Sequence, residues 1–99
     1  MSIEDWRARI DELDNELLRL LNKRARLAVQ IGILKRRAGL PIQDAERERD
    51  VLARACRANA GPLDERAVAE IFRRIILESR RLEVRVGEAS GARELEGTL

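Results

Sequence analysis

The sequence predicts an all-α protein with three helices per chain, one long and two shorter, assembled as a helical homodimer. Three observations support this prediction. Apolar residues recur at steps of three and four along most of the 99 residues, glycine and proline residues divide the chain into three segments, and no segment reads as a strand. The first segment is too long for a compact single chain, which indicates a second copy.

The first helix is predicted from about Ile3 to Ala38. Its apolar residues alternate steps of three and four with one doubled gap, and Arg24 stands in that gap. We call these residues the apolar stripe, and they are Ile3, Trp6, Ile10, Leu13, Leu17, Leu20, Leu27, Ile31, Leu34 and Ala38. Gly39 followed by Pro41 is a standard helix stop.

Two shorter helices follow the first. Asp44 is predicted to cap the helix DAERERDVLARACRAN, which ends before the Gly-Pro pair at 61 and 62. Asp64 is predicted to cap a third helix, which ends near Val86. No internal repeat is present.

The chain is long enough for one domain with a modest core, predicted over residues 1–86. The polar, glycine-containing residues 87–99 are predicted to form a flexible tail. At 1.5 Å per residue the first helix is roughly 50 Å long, whereas a compact domain of this size is about 33 Å across. Two shorter helices cannot cover a stripe of that length, so its remainder is expected to be buried against a second copy.

Composition argues against several classes of protein. The 20 basic and 18 acidic side chains nearly balance and alternate in sign, and Trp6 and Phe72 are the only aromatic residues, so no nucleic-acid partner is predicted. No apolar run approaches the roughly 20 residues of a membrane span, and the chain start lacks an apolar leader pattern. With Cys56 as the single cysteine, we expect a cytoplasmic protein without membrane association. The lack of histidine excludes His-based triads and His metal ligands, and no metal site is predicted.

Polar residues interrupt the apolar faces of all three helices. Arg24 and Lys35 are 11 positions apart, about 20° round the helix, so they share one face. In the third helix Ser79 and Glu83 are one turn apart and lie along one line. The second helix begins with three charged residues on one face, which are Asp44, Arg47 and Glu48.

Two explanations fit a charged residue within the apolar stripe. The structural one is a buried ion-pair network of Arg24 with Glu83 or Glu48, which would fix the register of the helices. The functional one is a polar pocket that binds a small dianion. For Arg24 alone the structural explanation is favoured, but together with Lys35 and Arg47 the cations exceed the acids within reach, and a ligand with carboxylates would balance them.

Arg7 is a separate case. It lies 17 residues before Arg24, roughly 25 Å along the helix axis and 100° away in azimuth. One small molecule within a single chain cannot contact both. Arg7 could reach the pocket of a second chain if the two long helices run antiparallel, and considered alone it is a solvated arginine.

These residues resemble the all-helical chorismate mutases, the AroQ class or type II, over residues 5–86. The matching segments are RARIDELDNELLRLLNKRARLAVQIGILK, PIQDAERERDVLARA and GPLDERAVAEIFRRIILESRRLE. The resemblance implies an intertwined homodimer with two active sites, each completed by the partner's long helix. It also implies conversion of chorismate to prephenate, on the route to phenylalanine and tyrosine, without a cofactor.

The resemblance further implies roles for the polar residues. The positions of Arg7, from the other protomer, Arg24 and Lys35 bind the two carboxylates of the substrate. Those of Arg47 and Ser79 support the carboxylate end. Because a [3,3] sigmatropic shift is unimolecular, such a site needs only to hold the reactive conformer and stabilise the developing charge.

Three further positions complete the implied site. Asp44 and Glu48 match positions that hold the region of the ring hydroxyl, and Glu83 with Lys35 flanks the ether oxygen. Several relatives carry Gln at the position of Glu83. A Glu can donate to the ether oxygen only when protonated, so we expect a raised pKa for Glu83 and activity that falls as pH rises.

Alternatives remain open. An isochorismate pyruvate lyase uses the same pocket for a related elimination, although the presence of both Asp44 and Glu48 favours the mutase. A non-catalytic dimeric helical interaction module is the other alternative. Gly32 is expected to allow close helix packing near the pocket, and Cys56 to have no chemical role. A solvated basic face is expected for Arg73, Arg74, Arg80 and Arg81.

Overall fold

The protein is all-helical, and its helices are α1 (Ile3–Ala38), α2 (Ala45–Ala58) and α3 (Glu65–Thr98). The structure, a computed structural model, describes the backbone of residues 1–98 and the side chains of residues 1–88. No strand occurs in that part of the chain. The predicted all-α class with three helices is confirmed, although α3 with 34 residues is nearly as long as α1 with 36, and the homodimer stays a prediction.

Local signals fix both ends of α1. At its start the Ser2 hydroxyl accepts from the backbone N–H of Asp5 at 3.1 Å, while the Asp5 carboxylate accepts from the backbone N–H of Ser2 at 2.8 Å. This reciprocal pair satisfies two N–H groups that the first turn leaves free. The helix ends at Gly39, whose φ of 69° is a left-handed conformation that glycine adopts without strain. The predicted bounds of α1 are confirmed.

Aspartate caps start the other two helices, as predicted. Asp44 Oδ1 accepts from the backbone N–H of Arg47 at 3.0 Å, and Asp64 Oδ1 accepts from that of Ala67 at 2.7 Å. Each cap satisfies an N–H group that has no partner within its own helix. The cap of α2 also fixes where the polar first turn of that helix begins.

The predicted end of α3 near Val86 is wrong, because the helix continues to Thr98. Gly87 costs about 1 kcal/mol in a helix relative to alanine, but no proline follows it. The segment after it is rich in alanine and glutamate, which are good helix formers. The predicted flexibility of residues 87–99 concerns side chains that lie mostly outside the described residues, and it stays a prediction.

The three helices form a single thin layer. Helix α3 packs against both α1 and α2, and the chain measures 64 × 29 × 14 Å. The smallest extent is little more than the diameter of one helix with its side chains, about 10–12 Å. Among the described residues only Ala28, Val68 and Ile76 are buried apolar residues, each 7% or 8% exposed. One layer with so small a core leaves apolar surface that needs a second layer.

The apolar stripe is exposed along its whole length. Its large residues from Ile3 to Leu34 are between 47% and 69% exposed. Helix α3 packs on a different face of α1, which contains Ala28 and Gly32. The stripe is therefore less covered within the chain than the sequence predicted. Among the described residues, no helix is long and apolar enough to cross a membrane.

Candidate active site

A cavity of about 270 Å³ is lined by residues of all three helices and the α1–α2 connection. Apolar side chains such as Leu27, Ile31 and Val51 form part of its wall. The remaining wall is polar and brings together seven of the eight predicted site residues, which are Arg24, Lys35, Asp44, Arg47, Glu48, Ser79 and Glu83. The predicted convergence of these side chains is present within one chain.

Arg24 is held by a hydroxyl rather than by an acid. Its Nη1 donates to Ser79 Oγ at 2.8 Å, and Ser79 Oγ in turn donates to the carbonyl of Ile75 at 2.9 Å. No carboxylate of the described residues lies within 4.0 Å of Arg24, so the ion pair with Glu83 or Glu48 is not formed there. The guanidinium has five N–H donors and gives one to Ser79. A positive charge with free donors therefore faces the cavity.

Lys35 and Glu83 form a buried pair across α1 and α3. Lys35 Nζ donates to the carbonyl of Ile42 at 2.8 Å and lies 3.7 Å from Glu83 Oε2. Glu83 is 7% exposed, and its Oε2 has no hydrogen-bond partner among the described residues. The Lys35 ammonium has three N–H donors and gives one to the Ile42 carbonyl, so it keeps donors for a ligand.

Burial has the largest effect on the pKa of Glu83. Loss of water raises the pKa of the Glu83 carboxyl, although the charges of Lys35 and Arg24 act in the opposite direction. The negative charge of Glu48 also raises it. The raised pKa that the sequence predicted for Glu83 is confirmed in direction.

The first turn of α2 supplies three cavity-lining residues. Asp44 caps the helix, as predicted, and also lines the cavity, while its predicted contact with a substrate stays a prediction. Arg47 lines the cavity too, but its Nη1 is 3.0 Å from Asp50 Oδ2 and the side chain is exposed. Glu48 lies 3.0 Å from Arg80 of α3.

Arg80 is the cavity residue that sequence reasoning missed. It was expected on a solvated basic face, but its side chain is only 34% exposed and lines the cavity. Spacing carried the signal, since Ile76, Arg80 and Glu83 follow each other at steps of four and three and so share one helix face. The other predicted surface arginines are exposed and pair with acids of the same helix, and they are Arg73, Arg74 and Arg81.

Arg7 is not part of the cavity of its own chain. Its Nη1 is 3.4 Å from Glu4 Oε1 on the same exposed turn of α1. Four turns and more of helix separate it from Arg24. The predicted contribution of Arg7 to a partner's site stays a prediction.

The charges of the cavity favour an anionic ligand. Glu48 is paired with Arg80 and Glu83 with Lys35, while no carboxylate of the described residues lies within 4.0 Å of Arg24, so the charge of Arg24 has no paired acid in the cavity. Arginine and lysine are the side chains that bind carboxylates in pairs of charge-assisted hydrogen bonds. Within the described residues, no group of three or more Cys, Asp or Glu side chains could hold a metal ion.

Fold and cavity together define an all-helical protein with a site for a small organic anion. The chain matches the family described as chorismate mutase type II over residues 6–84, and it belongs to that family. This is an isomerase family, and membership confirms the resemblance drawn from the sequence.

Individual relatives agree with this assignment. The chain is 34% identical over 84 residues to a chorismate mutase of Methanocaldococcus jannaschii, a match that covers 82% of this chain and 83% of that protein. It is 40% identical over 88 residues to a bifunctional chorismate mutase/prephenate dehydratase of Aquifex aeolicus, a match that covers 85% of this chain. The chain spans about a quarter of the length of that bifunctional relative, since the match covers 24% of it.

A solved structure supports the fold. The structure of a chorismate mutase (form II) from Thermus thermophilus superposes with a TM-score of 0.82 at 37% identity. The match covers 84% of this chain and 94% of that one. The arrangement of the three helices is therefore shared with a chorismate mutase of similar length.

Proposed function

We propose that this chain is a chorismate mutase, which converts chorismate to prephenate. The observation that carries the proposal is the placement of Arg24 and Lys35 on one wall of a cavity whose buried acid, Glu83, has a raised pKa. In the reaction the ether C–O bond breaks while a new C–C bond forms within the same molecule. No proton or electron leaves the substrate, so the site needs no general base.

Arg24 is proposed to bind a carboxylate of the substrate before the reaction begins. Arg24 offers N–H donors beyond the one that Ser79 accepts, in a plane that matches a carboxylate. Because Ser79 is itself bonded to the backbone of α3, the guanidinium is fixed before the substrate arrives. Such preorganisation holds the chair-like conformer in which the reacting carbons approach each other.

Stabilisation of the breaking bond comes from the Lys35–Glu83 pair. As the ether bond lengthens, negative charge develops on its oxygen, and donors already aimed at that position stabilise it. Lys35 keeps one N–H for this purpose, and a protonated Glu83 supplies a second. Each such donor in a preorganised site is worth about 3 kcal/mol in the transition state. Asp44 and Glu48 line the same cavity and are proposed to accept a hydrogen bond from the ring hydroxyl.

The complete site is proposed to need two chains in an intertwined homodimer. Leu27 and Ile31 line the cavity yet stay 61% and 51% exposed, so the cavity opens towards the apolar stripe. A second copy would bury that stripe by the hydrophobic effect. If the two α1 helices run antiparallel, Arg7 of the second copy reaches this opening and binds a substrate carboxylate in trans. The site of action is proposed to be the cytoplasm, where Cys56 stays a free thiol.

The test is to give the purified chain chorismate near pH 5 and near pH 7.5 and to identify the product by NMR. Prephenate formed at an enzymatic rate supports the proposal. A folded protein that leaves chorismate unchanged but releases pyruvate from isochorismate would instead be the related lyase. No turnover of either compound would contradict the proposal and leave a non-catalytic helical module.

A further inference from the structure

Two ion pairs among the described residues join different helices, and both face the cavity. One is Lys35 with Glu83, and the other is Arg80 of α3 with Glu48 of α2, whose Nε and Oε1 are 3.0 Å apart. The remaining pairs lie within single helices and are exposed. Because both pairs link two helices at the wall of the cavity, they can affect the positions of the side chains that bind a ligand.

The Arg80–Glu48 pair is shielded from water. The two side chains are 34% and 20% exposed, while Arg80 Nε and Glu48 Oε1 are fully covered. Neither atom makes an aligned hydrogen bond within the described residues, so the contact is held by opposite charge. Charges attract more strongly where water is excluded. A carboxylate that is shielded from water and has lost its paired cation is therefore expected to move towards another cation.

Other cations are within the same cavity. Without Arg80, the Glu48 carboxylate would face the charged and titratable groups that share this wall, which are Arg24, Lys35, Asp44, Arg47 and Glu83. Closing onto Arg24 or Lys35 would occupy the donors that a ligand carboxylate needs.

We propose that Arg80 is a positioning residue, which keeps the Glu48 carboxylate on the α2–α3 side of the cavity and away from the cations that bind the substrate. This inference rests on the proposed mutase function. It assigns Arg80 an effect through Glu48 and no contact with the reacting atoms. The prediction that follows is energetic coupling between the two residues, measured on the reaction.

The test is a double-mutant cycle on kcat and KM for chorismate with Arg80→Met and Glu48→Gln. Methionine keeps much of the apolar stem of arginine and removes its charge. In the wild-type background Arg80→Met is expected to raise KM and to lower kcat/KM by about tenfold or more, the effect of a misplaced binding group. In the Glu48→Gln background, where no carboxylate competes, the same change is expected to alter kcat/KM by less than about twofold.

Two further variants separate positioning from general packing. Arg80→Lys is expected to recover most of the activity, because its ammonium lies one bond beyond the position of Nε. Arg74→Met removes an exposed Arg–Glu pair from the same helix, 3.1 Å long and outside the cavity, and is expected to leave kcat/KM unchanged. Equal losses from Arg80→Met in both backgrounds, or no loss in the wild type, would overturn the inference.

A crystal structure of the substrate-free Arg80→Met variant distinguishes failure of this inference from failure of the proposed function. Without Arg80, the Glu48 carboxylate is expected to leave the α2–α3 side of the cavity and to lie against Arg24 or Lys35. A Glu48 carboxylate that keeps its wild-type position would overturn the positioning role even if chorismate is converted. A displaced carboxylate in a chain that converts no chorismate would contradict the proposed function alone.

Discussion

Gly32 of α1 lies directly against Glu83 of α3. A Cβ atom added to Gly32 would stand 3.0 Å from both Cβ and Cγ of Glu83 and 3.3 Å from its Cα. The two helices thus lie in close contact at the residue that carries the buried carboxyl of the cavity. The expectation that Gly32 permits close packing near the pocket is confirmed. The side chain that packs against it is that of Glu83, a predicted site residue.

Gly32→Ala is expected to lower kcat/KM by up to about tenfold, because a shift of about 1 Å in a positioned group costs about a hundredfold and a smaller shift costs less. The atoms in the way are the first two of the Glu83 side chain, so Glu83 or its helix must give by a few tenths of an ångström. Steady-state kinetics with chorismate would measure the loss. Full activity in Gly32→Ala would show that the close approach does not position Glu83.

Gly87→Ala is the matched control for this substitution. Its added Cβ would meet Arg36 Cδ at 3.7 Å, an ordinary contact, in a helix interior. Alanine is favoured over glycine in a helix by about 1 kcal/mol. We therefore expect unchanged kinetics and equal or higher thermal stability for Gly87→Ala, against lower stability for Gly32→Ala.

The raised pKa of Glu83, caused mainly by burial, predicts activity that declines as pH rises. The protonated carboxyl donates to the ether oxygen and the carboxylate cannot, so kcat/KM falls as pH passes through the raised pKa. Glu83→Gln keeps a donor at every pH and is expected to remove this decline. A profile of kcat/KM from pH 4.5 to 9 for both proteins, with the exposed Glu78→Gln as control, measures the effect. Parallel profiles for wild type and Glu83→Gln would count against proton donation by Glu83.

The same group links pH to folding. Because the pKa of Glu83 is raised in the folded state by burial, the folded chain holds this proton at pH values where the unfolded chain has lost it. Stability from Glu83 is therefore greatest below its ordinary pKa and falls as pH rises from there through the raised pKa. Urea unfolding at a series of pH values should show this decline in wild type and less of it in Glu83→Gln. An equal decline in both proteins would assign it to other groups.

Mixing two inactive variants tests whether Arg7 acts in trans. In a dimer of Arg7→Ala with Arg24→Ala, one site would carry both changes and the other neither. Random exchange of chains is expected to restore about one quarter of the wild-type activity, since half of the dimers are mixed and each has one intact site of two. Activity should rise after the variants are unfolded together and refolded. No recovery would indicate that both arginines serve the same chain's site, or that the protein is not a dimer.

The helix starts and the end of α1 could be predicted from sequence because each depends on local chemistry. The convergence of seven site residues from three helices depends on packing, and the full set was predicted through the resemblance to a known family. Asp44 and Asp64 cap their helices as any aspartate before a helical segment does. The end of α3 could not be predicted from sequence. Glycine at position 87 costs a helix only about 1 kcal/mol relative to alanine, which is too little to decide whether the helix stops there.

Two features could not be predicted from sequence because they depend on packing between helices, and they are the face of α1 that α3 covers and the position of Arg80. The stripe residues were expected to be partly covered by α2 and α3, but α3 packs on the face of α1 that contains Gly32, where there is no room for a larger side chain. Arg80 was assigned to the surface because arginine is usually solvated, and only the position of Glu48 across the cavity gives it a partner. Both outcomes depend on neighbours far apart in sequence.

The rate of prephenate formation by wild type and by Arg24→Met tests the cavity as an active site most directly. Methionine removes the guanidinium while Ser79 keeps its bond to the Ile75 carbonyl, so the helices are expected to stay folded by circular dichroism. We predict rapid prephenate formation by the wild type and a loss on the order of 10²–10³ in kcat/KM for Arg24→Met, the effect of removing a preorganised charge-stabilising donor. A folded Arg24→Met variant that forms prephenate as fast as the wild type would contradict the assignment of this cavity as the site of the reaction.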